Sequence, residues 1–415
     1  MYRSKTARPR IFSQDFRRAL RRFLRWQNLA IMIAILAPLS VAHAITFTHL
    51  SPQPTWSDTS ISALGGTDYF GTSAVRQDQN VWVIGIRGDG FTPTYVARKR
   101  FLNGVAQPIE QLNDATHFTN MAASGQRMAL FSYIGASATG DRNTIYAYVG
   151  TDNNFHYGQV KTTVPTGAFS QNKFALPTAI PGTFAPGIPP AIAASGSCTL
   201  GGKAAGTCVY FFIQDSVGFI YYKWIDCPTN GDCSALSSST TVQVDGTPVS
   251  TSWNRIESGG YIPSIAGPTA AQVTNNTIMV LAGIDFEGFP LSWNLAANTG
   301  VLLLSNSWTP PSGTEGGLFS SAFAATTYNR GVYASGTGCA QVIGIGNGPN
   351  NHTWSMATCD GTTLQTPWQD ITGPGGLGVQ SLSETFPGAT PKFDITSGSL
   401  GGITGSIWKA SYVTN

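Results

Sequence analysis

One stretch decides the fold of this chain, and it reads Ile278-Met-Val-Leu-Ala-Gly-Ile-Asp-Phe-Glu-Gly-Phe-Pro-Leu-Ser-Trp293. An apolar run of strand-forming residues comes first, an acid-Gly pair at Glu287 and Gly288 follows, and an aromatic run ends the stretch. Acidic residues and glycine favour a tight turn here, because Asp forms Asx turns and Gly adopts positive φ. The stretch therefore predicts a β-hairpin.

The same pattern recurs at a matching distance from a tryptophan. Trp253 precedes the apolar run at 278–284, and Trp56 precedes a similar run at 81–86 by the same distance. An acid-Gly pair then follows each run, at Glu287-Gly288 in the first case and at Asp89-Gly90 in the second. Self-similarity at a fixed distance indicates one supersecondary unit that is used several times.

Further copies of the hairpin pattern lie along the chain. Each pairs an apolar run with a later aromatic run, across a turn rich in Asp, Asn and Gly. The paired runs are 128–133 with 144–148, 209–213 with 220–224, and 341–345 with 352–354. Trp253, Trp308 and Trp368 follow one another at intervals of roughly 50–60 residues, the order of length expected of one repeat. At this spacing the chain holds six units, with five or seven as alternatives.

Fold class follows from these units. Helical periodicity is nearly absent, whereas short β-branched and aromatic runs bounded by Gly, Asn, Asp and Pro recur throughout. Repeats of this length suit the four-stranded blades of a β-propeller, which are copied around a central channel. We therefore predict an all-β chain that forms a single β-propeller of about six four-stranded blades, with a strand around residues 46–50 completing the last blade. A pair of β-sandwiches is the alternative.

The N-terminus has the features of an export signal. Residues 1–44 hold nine of the 24 basic residues and one of the 21 acidic residues, and an apolar run at 29–41 ends in Ala42-His43-Ala44. That run is shorter than the roughly 20 residues of a membrane span, and its small-x-small ending is typical of a cleavage site. We predict a signal peptide at 1–44 and a propeller domain at 45–415 that is secreted, periplasmic or at the cell surface. It would have no stable membrane insertion after cleavage; an uncleaved anchor is the alternative.

The charge balance excludes nucleic acid as a partner. Without the leader, 15 basic and 20 acidic residues remain, so the formal charge changes from +3 to −5. No basic patch with interleaved aromatic residues lies in 45–415, and such a patch is what nucleic-acid binding requires.

Six cysteines form three pairs of sequence neighbours. In an exported chain, local pairing is the simplest arrangement. The predicted disulfides are Cys198–Cys208, Cys227–Cys233 and Cys339–Cys359. The sequence has no Cys-x-x-Cys and no histidines at ligand spacing, so we expect no metal and no other cofactor.

Motifs of catalysis are missing from the sequence. The chain has no Gly-x-Ser-x-Gly, no His-Glu-x-x-His and no phosphate-binding loop. The stretches nearest to a Ser-x-Asp-x-Gly-x-x-Trp box, at 215–224 and 285–293, have the wrong spacing. Paired carboxylates could still serve a glycoside hydrolase. An enzyme therefore stays open, although the residues favour a binding protein.

Aromatic residues that follow the turns are the candidates for ligand binding. The apolar face of a pyranose stacks on Trp or Tyr, while its hydroxyls need polar partners. Arg255 and Glu257 flank Ile256, so they lie on the same side of a strand and could clasp a hydroxyl. The candidate ligand-binding residues are Trp224, Trp293, Trp354, Tyr95, Tyr146, Tyr222, Arg255 and Glu257. The leading tryptophans (Trp56, Trp253, Trp308 and Trp368) are assigned to packing between sheets.

The order Trp, Gly-Gly, apolar strand, acid-Gly turn, aromatic strand resembles the blades of secreted β-propeller lectins, namely the fucose-binding lectin family and the PLL-like lectins. A Gly-Gly pair follows each leading tryptophan, at Gly65-Gly66, Gly259-Gly260, Gly316-Gly317 and Gly375-Gly376. The resemblance implies a non-catalytic, lectin-like protein that holds glycans in shallow pockets between blades. The alternatives are a sialidase-like propeller glycoside hydrolase and a protein-interaction scaffold of the cell envelope.

Overall fold

The chain folds into antiparallel β-strands. The structure is a computed structural model. It describes residues 56–58, 69–77, 80–87, 96–102, 105–112, 117–121, 128–133, 143–161, 169–176, 188–198, 206–215, 218–227, 253–256, 262–263, 267–274, 277–285, 287, 289–296, 302–309, 319–328, 339–346, 353–370, 381–384, 392–400 and 403–413. These residues form strands and turns, and none of them is helical, which confirms the all-β prediction. No helix in this part of the chain has the length and apolar character to cross a membrane.

Six sheets account for the strands of the described residues. The first strand, β1 (Trp56–Asp58), belongs to the last sheet, and the other strands follow in chain order. Sheet 1 contains β2 (Tyr69–Gln77), β3 (Asn80–Arg87), β4 (Val96–Leu102) and β5 (Val105–Gln111). Sheet 2 contains β6 (Ala129–Tyr133), β7 (Asn143–Val149), β8 (Asn154–Lys161) and β9 (Phe169–Ala175). Sheet 3 contains β10 (Ala191–Cys198), β11 (Gly206–Gln214), β12 (Ile220–Cys227) and β13 (Asn254–Ile256).

The second half of the chain repeats this arrangement. Sheet 4 contains β14 (Ile262–Pro263), β15 (Thr269–Thr274), β16 (Thr277–Ile284), β17 (Pro290–Ala296) and β18 (Leu302–Ser307), with β14 and β15 both paired to β16. Sheet 5 contains β19 (Phe319–Tyr328), β20 (Cys339–Gly346), β21 (Thr353–Thr358) and β22 (Leu364–Asp370). Sheet 6 contains β23 (Ser381–Glu384), β24 (Lys392–Leu400), β25 (Ile403–Val413) and β1. Sheets 1, 2, 3 and 5 are thus antiparallel meanders of consecutive strands, whereas sheet 4 has both β14 and β15 beside β16 and sheet 6 has β1 beside β25.

Neighbouring sheets contact each other through one strand of each sheet. The contacts join β2 to β6, β6 to β10, β10 to β15, β15 to β19, β19 to β23, and β23 back to β2. The first and last strands of the described residues meet in sheet 6, where Trp56 pairs with Ala410 and Asp58 with Trp408. The strand expected around residues 46–50 lies outside the described residues.

Aspartates build the β11–β12 turn of sheet 3 and the β16–β17 turn of sheet 4. Asp215 Oδ1 accepts hydrogen bonds from the amides of Gly218 and Phe219, both at 2.8 Å. Asp285 Oδ1 accepts from the amides of Glu287 (2.9 Å) and Phe289 (2.8 Å). The acid that supports the second turn is therefore Asp285, and Glu287, half of the acid-Gly pair in the sequence, is exposed.

One predicted copy is displaced by a strand. The runs at 128–133 and 144–148 become the first two strands of sheet 2, whereas the other copies become second and third strands. The second and third strands of sheet 2 are β7 and β8, and a second acidic turn around Asp152 joins them. The sequence pattern could not separate these two turns, because each follows an apolar run and precedes an aromatic one.

Hydrophobic clusters fill the spaces between neighbouring sheets. Each such interface is named after its two sheets. The sheet 2–3 interface, for example, joins Phe155 and Tyr157 of β8 to Phe211 of β11, with ring centroids 5.1 and 5.3 Å apart. Trp308 and Trp368 are buried in the sheet 4–5 interface, and Trp253 packs half-buried in the sheet 2–3 interface. These three tryptophans pack between sheets, in agreement with their assignment; the side chain of Trp56 is outside the description.

A disulfide joins Cys339 to Cys359, as predicted. It connects the start of β20 to the residue that follows β21, and so fixes two neighbouring strands of sheet 5. Cys208 is also in a disulfide. The pairing of Cys208 with Cys198 stays a prediction. The pairing Cys227–Cys233 also stays a prediction, and Cys233 lies outside the described residues.

Candidate functional site

Three of the predicted ligand-binding aromatics meet in the sheet 3–4 interface. Tyr222 and Trp224 come from β12 and Trp293 from β17, and all three belong to one hydrophobic cluster. Their exposed fractions are 8 %, 6 % and 5 % respectively. A ligand could stack on these rings only if the two sheets moved apart, so their ligand role stays a prediction.

The other predicted residues are spread over different interfaces. Tyr146 is buried in the sheet 1–2 interface, where burial raises the pKa of its hydroxyl well above the usual value. Trp354 is half-buried against the sheet 4–5 cluster. Arg255 is exposed on β13. Tyr95 and Glu257 lie outside the described residues.

A charged cluster that the sequence did not predict lies on sheet 1. Arg98 of β4 pairs across the strands with Glu110 of β5. Arg98 donates from Nε (3.0 Å) and from Nη2 to Oε2 of Glu110, and Arg100 donates from Nη2 to the other oxygen, Oε1. One carboxylate is thus held by two guanidinium groups, the strong charge-assisted arrangement that arginine favours.

Burial differs sharply among the three members of this cluster. Arg98 is fully buried, whereas the side chains of Arg100 and Glu110 are 16 % and 21 % exposed. Burial lowers the pKa of Arg98, and its hydrogen bond to Glu110 opposes that effect. Arg98 therefore holds the Glu110 carboxylate from the buried side, while Arg100 and Glu110 present donor and acceptor atoms at the surface.

Aromatic rings line the opposite side of the sheet 1–2 interface. Phe118 and Tyr146 have ring centroids 4.7 Å apart, Tyr146 and Tyr148 6.3 Å, and Tyr148 and His156 4.9 Å. Val96, which shares a face of β4 with Arg98, belongs to the same cluster as the two tyrosines. The interface therefore combines an apolar, aromatic wall with the partly exposed pair of Arg100 and Glu110.

A polar turn lies at one end of this row of rings. Asp152 Oδ1 is 2.8 Å from His156 Nε2, and Asp152 also accepts from Asn154 and Lys173. Burial alone would raise the pKa of Asp152, but the hydrogen bonds from His156 and Asn154 and the nearby positive charges lower it to about 2. Asp152 is therefore a structural anion that fixes the turn and the ring of His156.

A second charged surface lies in the sheet 2–3 interface. Lys223 of β12 is 3 % exposed, and its Nζ lies 6.0 Å from the centre of the Trp253 ring. Arg255 lies across the strands from Tyr221, with Cζ 3.7 Å from the centre of the Phe219 ring. Arg255, predicted from the sequence, thus belongs to a set of cations and aromatic rings.

The sequence contained a weak signal for the cluster of Arg98, Arg100 and Glu110. Arg98 and Arg100 alternate on one strand, and Glu110 follows in the next strand of the same hairpin. Alternation places both arginines on one face, but only the register of β4 against β5 brings the glutamate opposite them. No group of three or more His, Cys, Asp or Glu within the described ranges could hold a metal ion.

Comparison with known proteins gives only distant likeness. No protein-family model matches the chain, and no curated protein does. Among solved structures, the Aleuria aurantia lectin in complex with alpha-methyl-L-fucoside matches at 10 % identity and a TM-score of 0.49, over 84 % of this chain and 96 % of that chain. The SapL1 lectin in complex with alpha methyl fucoside matches at 14 % identity and a TM-score of 0.45, over 84 % and 94 %. The Trypanosoma rangeli sialidase in complex with the inhibitor DANA matches at 9 % identity and a TM-score of 0.46, over 84 % of this chain and 55 % of that chain. These similarities are too low to assign a function.

Proposed function

We propose that this protein is an exported, non-catalytic β-propeller that binds glycans between its blades. Six antiparallel sheets that contact one another in a cycle support six blades around one axis. The Cys339–Cys359 disulfide supports export, because such bonds persist in oxidising compartments. In this proposal residues 1–44 are the leader and residues 45–415 the propeller.

The observation that carries the proposal is the cluster of Arg98, Arg100 and Glu110. A sugar hydroxyl donates one hydrogen bond and accepts others, so a binding site needs acceptors and donors side by side. Glu110 supplies carboxylate oxygens and Arg100 supplies N–H groups, both within partial reach of solvent. Arg98 holds Glu110 in position from the buried side, so little conformational entropy is lost on binding.

The same cluster favours binding over hydrolysis. A general acid or base needs a carboxylate that can reach the reacting atom, whereas both carboxylate oxygens of Glu110 already accept hydrogen bonds from guanidinium groups. Glu110 is therefore suited to accept hydrogen bonds from a ligand. Weak single sites of this kind gain strength when several blades engage one glycan surface.

A glycan array probed with residues 45–415 tests the proposal. We expect binding to a restricted set of glycans, and Glu110→Gln should weaken it by about 10- to 100-fold, because one charge-assisted hydrogen bond is worth roughly 1.5–3 kcal/mol. The matched control is Gln107→Ala on the same strand, whose amide donates to the carbonyl of Val105 at 3.2 Å; it should bind as the wild type does. Silence across the array would overturn the proposal in favour of a scaffold, and release of sugar from chromogenic glycosides would overturn its non-catalytic part.

A further inference from the structure

A short segment on the connection from β5 to β6 has an unusual backbone. Within residues 117–121, Phe118 and Asn120 have φ angles of 53° and 58°. Asparagine tolerates this left-handed region, whereas a bulky side chain such as that of Phe118 rarely adopts it. The backbone at Phe118 is therefore strained, and contacts elsewhere must offset that strain.

Contacts with sheet 2 hold this segment, which we call the strap (residues 117–121). The Phe118 ring is buried, and its centroid lies 4.7 Å from that of Tyr146 on β7. The carbonyl of Asn120 accepts two hydrogen bonds from Thr151 in the β7–β8 turn, one from the amide at 2.7 Å and one from the hydroxyl at 3.0 Å. The strap is thus fastened to sheet 2 by a ring and by its own backbone.

The part of sheet 2 that receives the strap has fixed contacts of its own. Tyr148 donates from its hydroxyl to the carbonyl of Thr119 at 2.8 Å, and its ring is stacked on that of His156 with centroids 4.9 Å apart. Asp152 lies 2.8 Å from His156 Nε2 and so ties the β7–β8 turn to β8. Because the strain lies in the strap and the turn is held from within, the strap is the partner that can open.

The strap also supports the hairpin that carries the proposed binding cluster. Phe118 belongs to one hydrophobic cluster with Val96 and Leu112, and the amide of Leu112 donates to the carbonyl of Val96 at 2.8 Å. Val96 lies two residues before Arg98 and so shares its face of the strand. Leu112 lies two residues after Glu110, in the same relation to it. Docking of the strap therefore fixes the end of the β4–β5 hairpin beside the Glu110 carboxylate.

We infer that the strap regulates the proposed glycan site: Arg100 and Glu110 bind a glycan tightly only while Phe118 is docked on sheet 2, and a bound glycan keeps the strap closed. The inference rests on the proposed glycan binding and adds its regulation. A fixed hairpin loses less conformational entropy on binding than a loose one. Opening relieves the backbone strain at Phe118, which lowers the free energy of the open state relative to the closed one. Binding and closure then favour each other by the same factor.

Hydrogen exchange at one backbone amide reports whether the strap is closed. The amide of Thr151 loses the carbonyl of Asn120 when the strap opens, and it then exchanges with solvent. The matched control is the amide of Thr363, which also belongs to an exposed turn threonine and donates to Asp360 Oδ1 at 2.7 Å. In residues 45–415, a saturating amount of the array glycan that binds most tightly should slow exchange at Thr151 by about tenfold and leave Thr363 unchanged.

Phe118→Ala removes the ring that docks the strap. This variant should bind the same glycan about tenfold more weakly or worse, and the glycan should no longer slow exchange at Thr151. Phe118→Leu keeps most of the apolar volume and should lose about threefold, so it carries the test if the alanine variant folds poorly. Phe323→Ala is the matched control, because Phe323 is buried to a similar degree (5 % exposed against 4 %) in the sheet 4–5 interface. It should lower the melting temperature and leave the glycan effect at Thr151 intact.

The other outcomes separate this inference from the proposed function. Glycan binding with no change at Thr151 overturns the inference and leaves the proposed function standing, whereas binding to no glycan overturns both. Slower exchange that persists in the Phe118 variants would mean that the glycan covers the β7–β8 turn directly, and it would overturn the inference. An equal loss of binding in Phe323→Ala would show an effect of overall stability and would overturn it as well.

Discussion

Lys223 is a side chain whose position opposes the stability of the core around it. It pairs across the strands with Phe211 and lies within the sheet 2–3 interface. Burial lowers its pKa from 10.5 to about 8, and a tenfold change in an acid dissociation constant corresponds to about 1.4 kcal/mol between the two protonation states. The buried charge of Lys223 therefore lowers the free energy of unfolding.

Replacement of Lys223 by Met should stabilise the protein at pH 7, by up to about 3 kcal/mol. The pKa is lower in the folded than in the unfolded protein, so the unfolded protein binds more protons between pH 8 and 10.5. Wild-type stability should therefore rise with pH across that window, and the advantage of the variant should shrink. Urea unfolding at pH 7 and pH 10 measures both effects. Lys99→Met is the control, and an equal gain in that variant would contradict the role of burial.

Replacement of Asp152 by Asn should destabilise the protein at pH 7, by about 1–2 kcal/mol. The pKa of Asp152 is lowered from 3.8 to about 2 in the folded protein. Its ionised form therefore stabilises the fold above pH 4, and this contribution disappears as the pH falls through 2. Thermal unfolding of wild type and variant at pH 7, 4 and 2.5 should show two melting curves that converge. A constant difference down to pH 2.5 would exclude the ionised carboxylate as its cause.

At the scale of the element, the hairpin between second and third strands depends on one aspartate. Asp285 accepts two backbone amides of the turn, and its second oxygen accepts from Ser307 Oγ at 2.8 Å. It therefore joins the β16–β17 turn to the end of β18. Asp215 makes a similar pair of contacts in sheet 3, where it also accepts from the amide four residues further on, so these two turns share their chemistry.

Asp285→Ala should lower the free energy of unfolding by about 2–3 kcal/mol, because hydrogen bonds to a charged acceptor are lost and the turn amides lose their partner. Glu287→Ala in the same turn should change it by about 0.5 kcal/mol or less, as expected of an exposed side chain. Chemical unfolding of the two variants in parallel measures the difference. Equal effects would mean that the net charge of the turn matters more than its hydrogen bonds.

At the scale of the molecule, the first and last strands of the described residues share one sheet. β1 forms the outer edge of sheet 6 by pairing with β25, and it thereby covers the hydrogen-bonding groups of the C-terminal strand. An uncovered edge strand is a site for aggregation. The short β1 therefore protects this edge of sheet 6 from pairing with another chain.

A chain that begins at residue 60 should melt lower than one that begins at residue 45, by roughly 5 °C, and should aggregate earlier. The missing backbone partners of β25 are the cause. Differential scanning calorimetry and light scattering on the two chains measure both effects. Identical melting and scattering would show that β1 does not support sheet 6.

Local chemistry made the hairpins predictable. Strand periodicity and turn-forming residues act between neighbours in sequence, so the run at 278–293 could be assigned as a hairpin without its surroundings. The Cys339–Cys359 bond was predictable for the same reason, because its partners flank one hairpin. The displaced copy in sheet 2 shows the limit of this reasoning, since two successive turns there have the same chemistry.

The sequence by itself determined the all-β character, the repeated unit and the aspartate turns, because these depend on interactions within a hairpin. Only the tertiary structure decided which face each side chain occupies. Tyr222 and Trp224 face sheet 4 and are buried there, whereas Lys223 between them faces sheet 2. Arg98 meets Glu110 through strand register, and Trp253 reaches Ala175 across two sheets. Such contacts join residues distant in sequence, and their energies depend on burial that exists only once the sheets pack.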